Sequence, residues 1–228
     1  MNKKSFNFLH IRPFVHSPFR AFALSCILFA FSLPAVGQQP FSKEFSLGIS
    51  SGIVLSSIDF LPPIKQNSHW TYNGGVTARF ISSKHAGIQG ELNFSQRGWN
   101  KRMANDSTYS RTLNYLEIPL LTHFYIGNKV RFIIHLGPKF SYLLSENANA
   151  NFTPNNMREY KPIANKIDYG LCGGGGLELR IGALNYFVEG RYYYGLADLF
   201  PNGRGNDFMR SANRNISINI VVLYNIVK

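Results

Sequence analysis

The 228-residue chain is poor in acid, in cysteine and in long apolar runs, and each shortage excludes something. Twelve Asp and Glu stand against 24 Lys and Arg, and no acidic residue precedes Glu44. Cysteine occurs twice, as Cys26 and Cys172. Cys26 sits early in an apolar run behind Ala23-Leu24-Ser25 rather than at the end of one, which is the wrong place for a lipid anchor. With the leader removed Cys172 has no partner, so an internal disulfide is excluded; within Leu171-Cys172-Gly173 it reads as a small packed residue. The apolar run at 21–33 falls short of the roughly 20 residues that a transmembrane helix requires, and no later segment reaches that length.

What the N-terminus does contain is an export signal. Lys3, Lys4, Arg12 and Arg20 precede the apolar run, Pro34 breaks it, and Ala35-Val36-Gly37 supplies the small residues of a cleavage site. The expected division is a signal peptide at 1–37 and one domain at 38–228; the competing reading is an uncleaved anchor. Removing the leader's four cations leaves 20 Lys and Arg against 12 Asp and Glu, a balance of +8. The export leader and the dispersal of these charges argue against nucleic acid as a partner and for an anionic lipid surface.

Period-two alternation recurs eight times after the leader, at 44–56, 70–81, 86–97, 111–126, 130–145, 167–181, 185–196 and 213–227. In the last of these, Ile216, Ile218, Ile220, Val222, Tyr224 and Ile226 alternate with Asn215, Ser217, Asn219 and Asn225. The connections alternate too. Those at 82–85, 127–129 and 182–184 are short, whereas those at 57–69, 99–110, 146–165 and 197–212 are long and polar. Short turns at one end and long loops at the other are the pattern of an outer-membrane barrel. The fold expected is therefore all-β: an eight-stranded antiparallel up-and-down transmembrane barrel.

A soluble sandwich also alternates, so the polar faces decide. In a barrel one row holds Arg79, Glu91, Arg97, Glu117, His123, Arg131, His135, Lys139, Asp168, Glu178, Arg180, Glu189 and Arg191, all pointing inward as a network of paired charges, since an unpaired interior charge is costly. The opposite row carries no charge. It holds Trp70, Tyr72, Tyr142, Tyr169, Tyr186, Tyr192, Tyr194 and Tyr224, several near strand ends, as in the aromatic girdles of membrane barrels. Gly173-Gly174-Gly175-Gly176 has no Lys-Ser/Thr after it and is no phosphate loop; it allows curvature or room for a bulky neighbour.

The segment Tyr115-Leu116-Glu117-Ile118-Pro119-Leu120-Leu121 resembles the PorT-like outer-membrane β-barrel family of the Bacteroidetes. Gly137-Pro138-Lys139-Phe140-Ser141-Tyr142, Asp168-Tyr169-Gly170, Glu189-Gly190-Arg191-Tyr192-Tyr193-Tyr194-Gly195-Leu196 and Arg214-Asn215 follow in the same order, so the resemblance spans the chain beyond the leader. It implies an integral outer-membrane location, and the family's name-giving member is similar to a component of the type IX secretion and gliding apparatus.

Chemistry is sparse. His123 and Glu117 share a face near His135 and Ser141, which raises a lipid-modifying enzyme as an alternative, but such a nucleophile belongs on the lipid side. His69 and His85 fall in connections at opposite ends, and no ligand spacing for a metal occurs. No cofactor is expected. Eight strands leave no room for a wide pore. Phe60-Leu61-Pro62-Pro63-Ile64 and Phe200-Pro201-Asn202-Gly203 place apolar residues in exposed connections, the expected contact points for envelope or secretion-system proteins. The expectation is a structural or interaction barrel that is not an enzyme.

Overall fold

The computed structural model describes residues 42–102, 106–152, 160–202 and 206–227. The expected leader at 1–37 lies outside them. Eight strands follow one another: β1 (Glu44–Leu61), β2 (Asn67–Ser83), β3 (Ala86–Arg102), β4 (Thr108–Gly127), β5 (Val130–Ala150), β6 (Ile167–Ile181), β7 (Leu184–Asp198) and β8 (Arg210–Val227). Each pairs antiparallel with the next, and β8 pairs with β1 to close the barrel. Closure leaves no edge strand unpaired, which is what allows a sheet to stand in lipid.

The register fixes the barrel's size. Passing from strand to strand through paired residues, Glu44 leads to Ile81, Gly87, His123, His135, Gly174, Arg191 and Ser217, and the ring closes on Val54. The path thus returns to β1 ten residues above its start (54 − 44). Such a stagger over eight strands corresponds to a tilt of roughly 40–45° and an interior just wide enough for side chains. Tight turns join β2 to β3, β4 to β5 and β6 to β7. Gly182 in the last of these takes φ +61°, a left-handed conformation that favours glycine.

The outward row is apolar and exposed, including Ile49, Leu116, Ile118, Ile134, Ile218 and Ile220. Exposed aromatics lie toward both ends: Trp70, Tyr72, Tyr142, Tyr169 and Tyr192 on the loop side, Tyr186 and Tyr224 on the turn side. Tyr194 departs from this belt. It is half-buried, with the guanidinium groups of Arg210 and Arg214 at 5.1 and 5.3 Å from its ring centre.

At the loop end the strands run further than the alternation of the sequence suggested. Most of 57–69 and 99–110 is strand: the first of the expected long loops shrinks to 62–66, and in the second β3 runs on to Arg102 and β4 begins already at Thr108. The reason is an exchange of faces. Ile58, Phe60, Trp99 and Tyr109 occupy inward positions of these extensions and pack into one buried cluster with Leu113, Ile163, Leu199, Phe200 and Phe208. Phe60 and Phe200 are therefore not exposed binding-loop residues: both are buried, and Phe60 lies edge-on to Trp99 at 5.6 Å. At the turn end, Ile81, Tyr125, Ile133, Phe187, Val221 and Leu223 form a second apolar cluster.

Candidate functional site

Between the two apolar clusters the lumen is charged. All thirteen residues of the polar row occupy inward positions. The strand pleat puts them there, because alternate side chains of every strand face the axis. Twelve are buried, and Arg180 is half-buried near the turn end.

The pairs cross the ring. Arg79 on β2 donates two hydrogen bonds to Glu178 on β6, at 2.6 and 3.1 Å. Arg131 on β5 approaches the same carboxylate at 3.7 Å and lies 4.0 Å from the Tyr125 ring centre. Arg191 on β7 donates to both oxygens of Glu91 on β3, at 2.8 and 2.5 Å, and pairs with Glu189 at 2.5 Å. Gln89 and Asn93 donate to Glu91 from either side, at 2.7 and 2.8 Å.

Nearer the loop end Arg97 is the hub. It is fully buried, pairs with Glu117 and with Asp168, and donates to the Ser141 hydroxyl at 2.9 Å. The rings of Tyr115 and Tyr193 flank its guanidinium, with centres 4.6 and 4.8 Å away. Lys139 donates to the other Glu117 oxygen at 3.1 Å, and its ammonium lies 3.9 Å from the Tyr193 ring centre. Tyr193 and Asn213 donate to Asp168 at 3.0 and 3.1 Å.

Arg180 joins Glu44 at 2.9 Å. Glu44 was absent from the residues singled out by sequence, although it stands on the inward parity of β1 together with Ser46, and that parity was its signal. With Glu44 included, six cations (Arg79, Arg97, Arg131, Lys139, Arg180, Arg191) face six carboxylates (Glu44, Glu91, Glu117, Asp168, Glu178, Glu189). These twelve charges sum to zero, and Arg111, also buried and inward on β4, has its own partner in Glu146, so the +8 excess lies elsewhere. Taking so many charges out of water is tolerable only because each stands beside an opposite charge, hydrogen-bonded in every case but Arg131, which lies 3.7 Å from Glu178 and against the Tyr125 ring.

Two glycines of the run on β6 let the backbone of β7 lie close beneath this network. An added Cβ at Gly174 would clash with the Gly190 carbonyl oxygen and stand 2.9 Å from Arg191 Cγ, and one at Gly176 would clash with the Val188 carbonyl oxygen and stand 2.8 Å from Glu189 Cβ.

The histidines form a separate chain. His123 Nδ1 lies 2.7 Å from His135 Nε2, and His135 Nδ1 lies 2.7 Å from Glu189 Oε2. With neutral rings the carboxylate holds the proton on His135 Nδ1, and His135 Nε2 then accepts from His123. His123, Glu117 and Ser141 are thus not assembled as a nucleophilic triad. His123 belongs to the histidine chain, while Glu117 and Ser141 belong to the Arg97 hub. Among the described residues no group of three or more His, Cys, Asp or Glu is placed to hold a metal ion. His69 approaches the Thr112 hydroxyl at 3.2 Å and His85 the Tyr125 carbonyl at 3.3 Å, at opposite ends of the barrel.

A closed ring of eight antiparallel strands, apolar without and polar within, defines an integral β-barrel of the outer membrane. Residues 37–201 match the family model described as outer membrane protein beta-barrel domain, and the chain belongs to that family. No curated protein sequence matches the chain. Among solved structures it is similar to Ail, the attachment invasion locus protein of Yersinia pestis, with 14% identity over 80% of this chain and 99% of that one and a TM-score of 0.43. It is also similar to OprG of Pseudomonas aeruginosa, with 12% identity over 81% and 93% and a TM-score of 0.46. Similarity extends to the outer membrane enzyme PagL, with 12% identity over 76% and 97% and a TM-score of 0.42.

Proposed function

We propose that this barrel is a structural and interaction component of the bacterial envelope, with a permanently plugged lumen, rather than a pore or a lipid-modifying enzyme. One observation carries the reading: the interior is filled in three tiers, an apolar cluster at each end and paired charges between them. Solute passing along the axis would have to part Arg191 from Glu91 and Arg79 from Glu178, leaving buried charges unpaired at a cost of several kcal/mol each. Partners are then met from outside, by lipid along the apolar wall and by envelope proteins at the loop end, where β3, β4 and β5 project. The resemblance of Tyr115-Leu116-Glu117-Ile118-Pro119 and the later segments to PorT-like barrels of the Bacteroidetes supports a link with protein secretion. Voltage-clamped planar bilayers containing the purified barrel test the plug. The expected record is flat, and a steady open channel in the unmodified protein overturns the proposal. Photocrosslinking from Asn149 at the projecting end of β5 tests the partner; recovery of an envelope protein is expected, and recovery of lipid alone contradicts it.

A further inference from the structure

The wall of the barrel has a step at the top of β6. Pairing between β5 and β6 stops at Tyr142 and Ile167, although β5 continues to Ala150. On the other side, pairing between β6 and β7 stops at Gly170 and Gly195, although β7 continues to Asp198. The segment before β6 seals the step from within. Leu143 N donates to Lys166 O at 2.7 Å, Ala164 N and Asn165 N donate to Leu199 O at 3.2 and 3.1 Å, and Ile163 turns into the apolar cluster of the loop end. The step is therefore no opening into the lumen. It is a groove of about 870 Å³ on the outer surface.

The groove is amphipathic. Tyr142, Ile167, Tyr169 and Leu196 form its floor, all exposed on the lipid-facing row at the level of the loop-side aromatics. Lys166 stands exposed at its polar rim, and no carboxylate of the described residues pairs with it. Asp198 also lines the groove, but its carboxylate is engaged, accepting from Ser211 N at 2.5 Å and from Asn202 Nδ2 at 2.8 Å. An apolar floor in contact with the bilayer beneath a lone ammonium complements an acyl chain that ends in an anionic headgroup.

We propose that this groove holds a phosphorylated glycolipid of the outer leaflet, lipid A in its phosphorylated form, with an acyl chain along Tyr142, Tyr169 and Leu196 and a phosphate on Lys166. The inference rests on the barrel standing in the outer membrane with its loop end outward. Native mass spectrometry of the full barrel released from detergent tests it, with three probes: phosphorylated lipid A, the same glycolipid without phosphate, and phosphatidylglycerol. Retention of phosphorylated lipid A should exceed that of the phosphate-free glycolipid by about tenfold, the worth of one charge-assisted contact. Lys166→Gln should abolish that preference, and Leu196→Asn should lower retention of both glycolipids. Equal retention of the two glycolipids, an unchanged preference in Lys166→Gln, or phosphatidylglycerol held as firmly as lipid A would each overturn the assignment. Heat-modifiable migration and insertion into lipid vesicles, recorded on the same samples, separate the two levels. A barrel that inserts without selecting lipid A refutes the groove alone, and one that does not insert refutes the membrane reading beneath it.

Discussion

Arg191 and Glu91 stand on β7 and β3, four strands apart in a ring of eight, and meet across the full width of the lumen through two hydrogen bonds. They are 100 residues apart in the chain. A pair so placed ties opposite walls together, and its loss has a definite sign. Arg191→Met leaves Glu91 buried beside Gln89 and Asn93 with no cation, so it should destabilise the barrel by about 3–5 kcal/mol. Adding Glu91→Met to that variant should restore part of the loss, because an apolar pair of similar volume fills the same space while Glu189, the other carboxylate paired with Arg191, stays buried with His135 beside it. Urea unfolding in detergent micelles measures both; additive losses in the double variant would contradict the pairing.

The apolar cluster at the loop end behaves as the core of a soluble barrel. Trp99 is fully buried, and Phe60 packs edge-on against it. Truncation of either to Ala should cost about 3–5 kcal/mol. The same unfolding assay checks this, and the losses should exceed that of Leu61→Ala, whose side chain is exposed.

Lipid imposes the opposite rule on the outer wall. Ile134 and Ile218 are exposed on the apolar outer wall, the one on β5 and the other on β8, where an Arg meets hydrocarbon. Ile134→Arg or Ile218→Arg should destabilise the folded barrel in vesicles by roughly 2–4 kcal/mol. The penalty should shrink in short-chain detergent, whose belt lets the guanidinium reach water, and equal penalties in both media would argue against a lipid-facing wall.

Cys172 is buried against Leu121 and Tyr193. Maleimide should leave the folded barrel unlabelled and react fully once the sample is boiled in SDS. Rapid labelling of folded protein would show that the lumen at this level admits solute.

The number of strands, their order and the direction of each face were legible in the sequence because hydrocarbon and a narrow lumen impose opposite polarity on alternate residues. Asn215 to Ile226 shows this in its simplest form. The parity fails where the strands leave the bilayer. In β1 the apolar side chains stand at the odd, outward positions from Leu47 to Ile53, and from Val54 on buried apolar residues take the even, inward positions Val54, Ile58 and Phe60, so the alternation of the sequence blurs although the strand continues. Above the membrane water lies outside and the buried core within, and the pattern inverts rather than stops. The charged row was legible for the same reason as the fold. Its pairing was not, since which Arg meets which Glu depends on the ten-residue stagger, a property of the closed ring that no single strand encodes. Glu44 was missed because its neighbours Phe45 and Leu47 draw attention to the outward parity.

The division between outside and inside is tested most directly by the chain's two tryptophans. Trp70 is 65% exposed on the outer wall and Trp99 is fully buried at the loop end of the lumen. In vesicles made with brominated acyl chains, the Trp99→Phe variant, which retains Trp70, should lose most of its fluorescence, and the Trp70→Phe variant should keep it. Quenching of Trp99 with Trp70 unaffected would contradict the orientation of every strand.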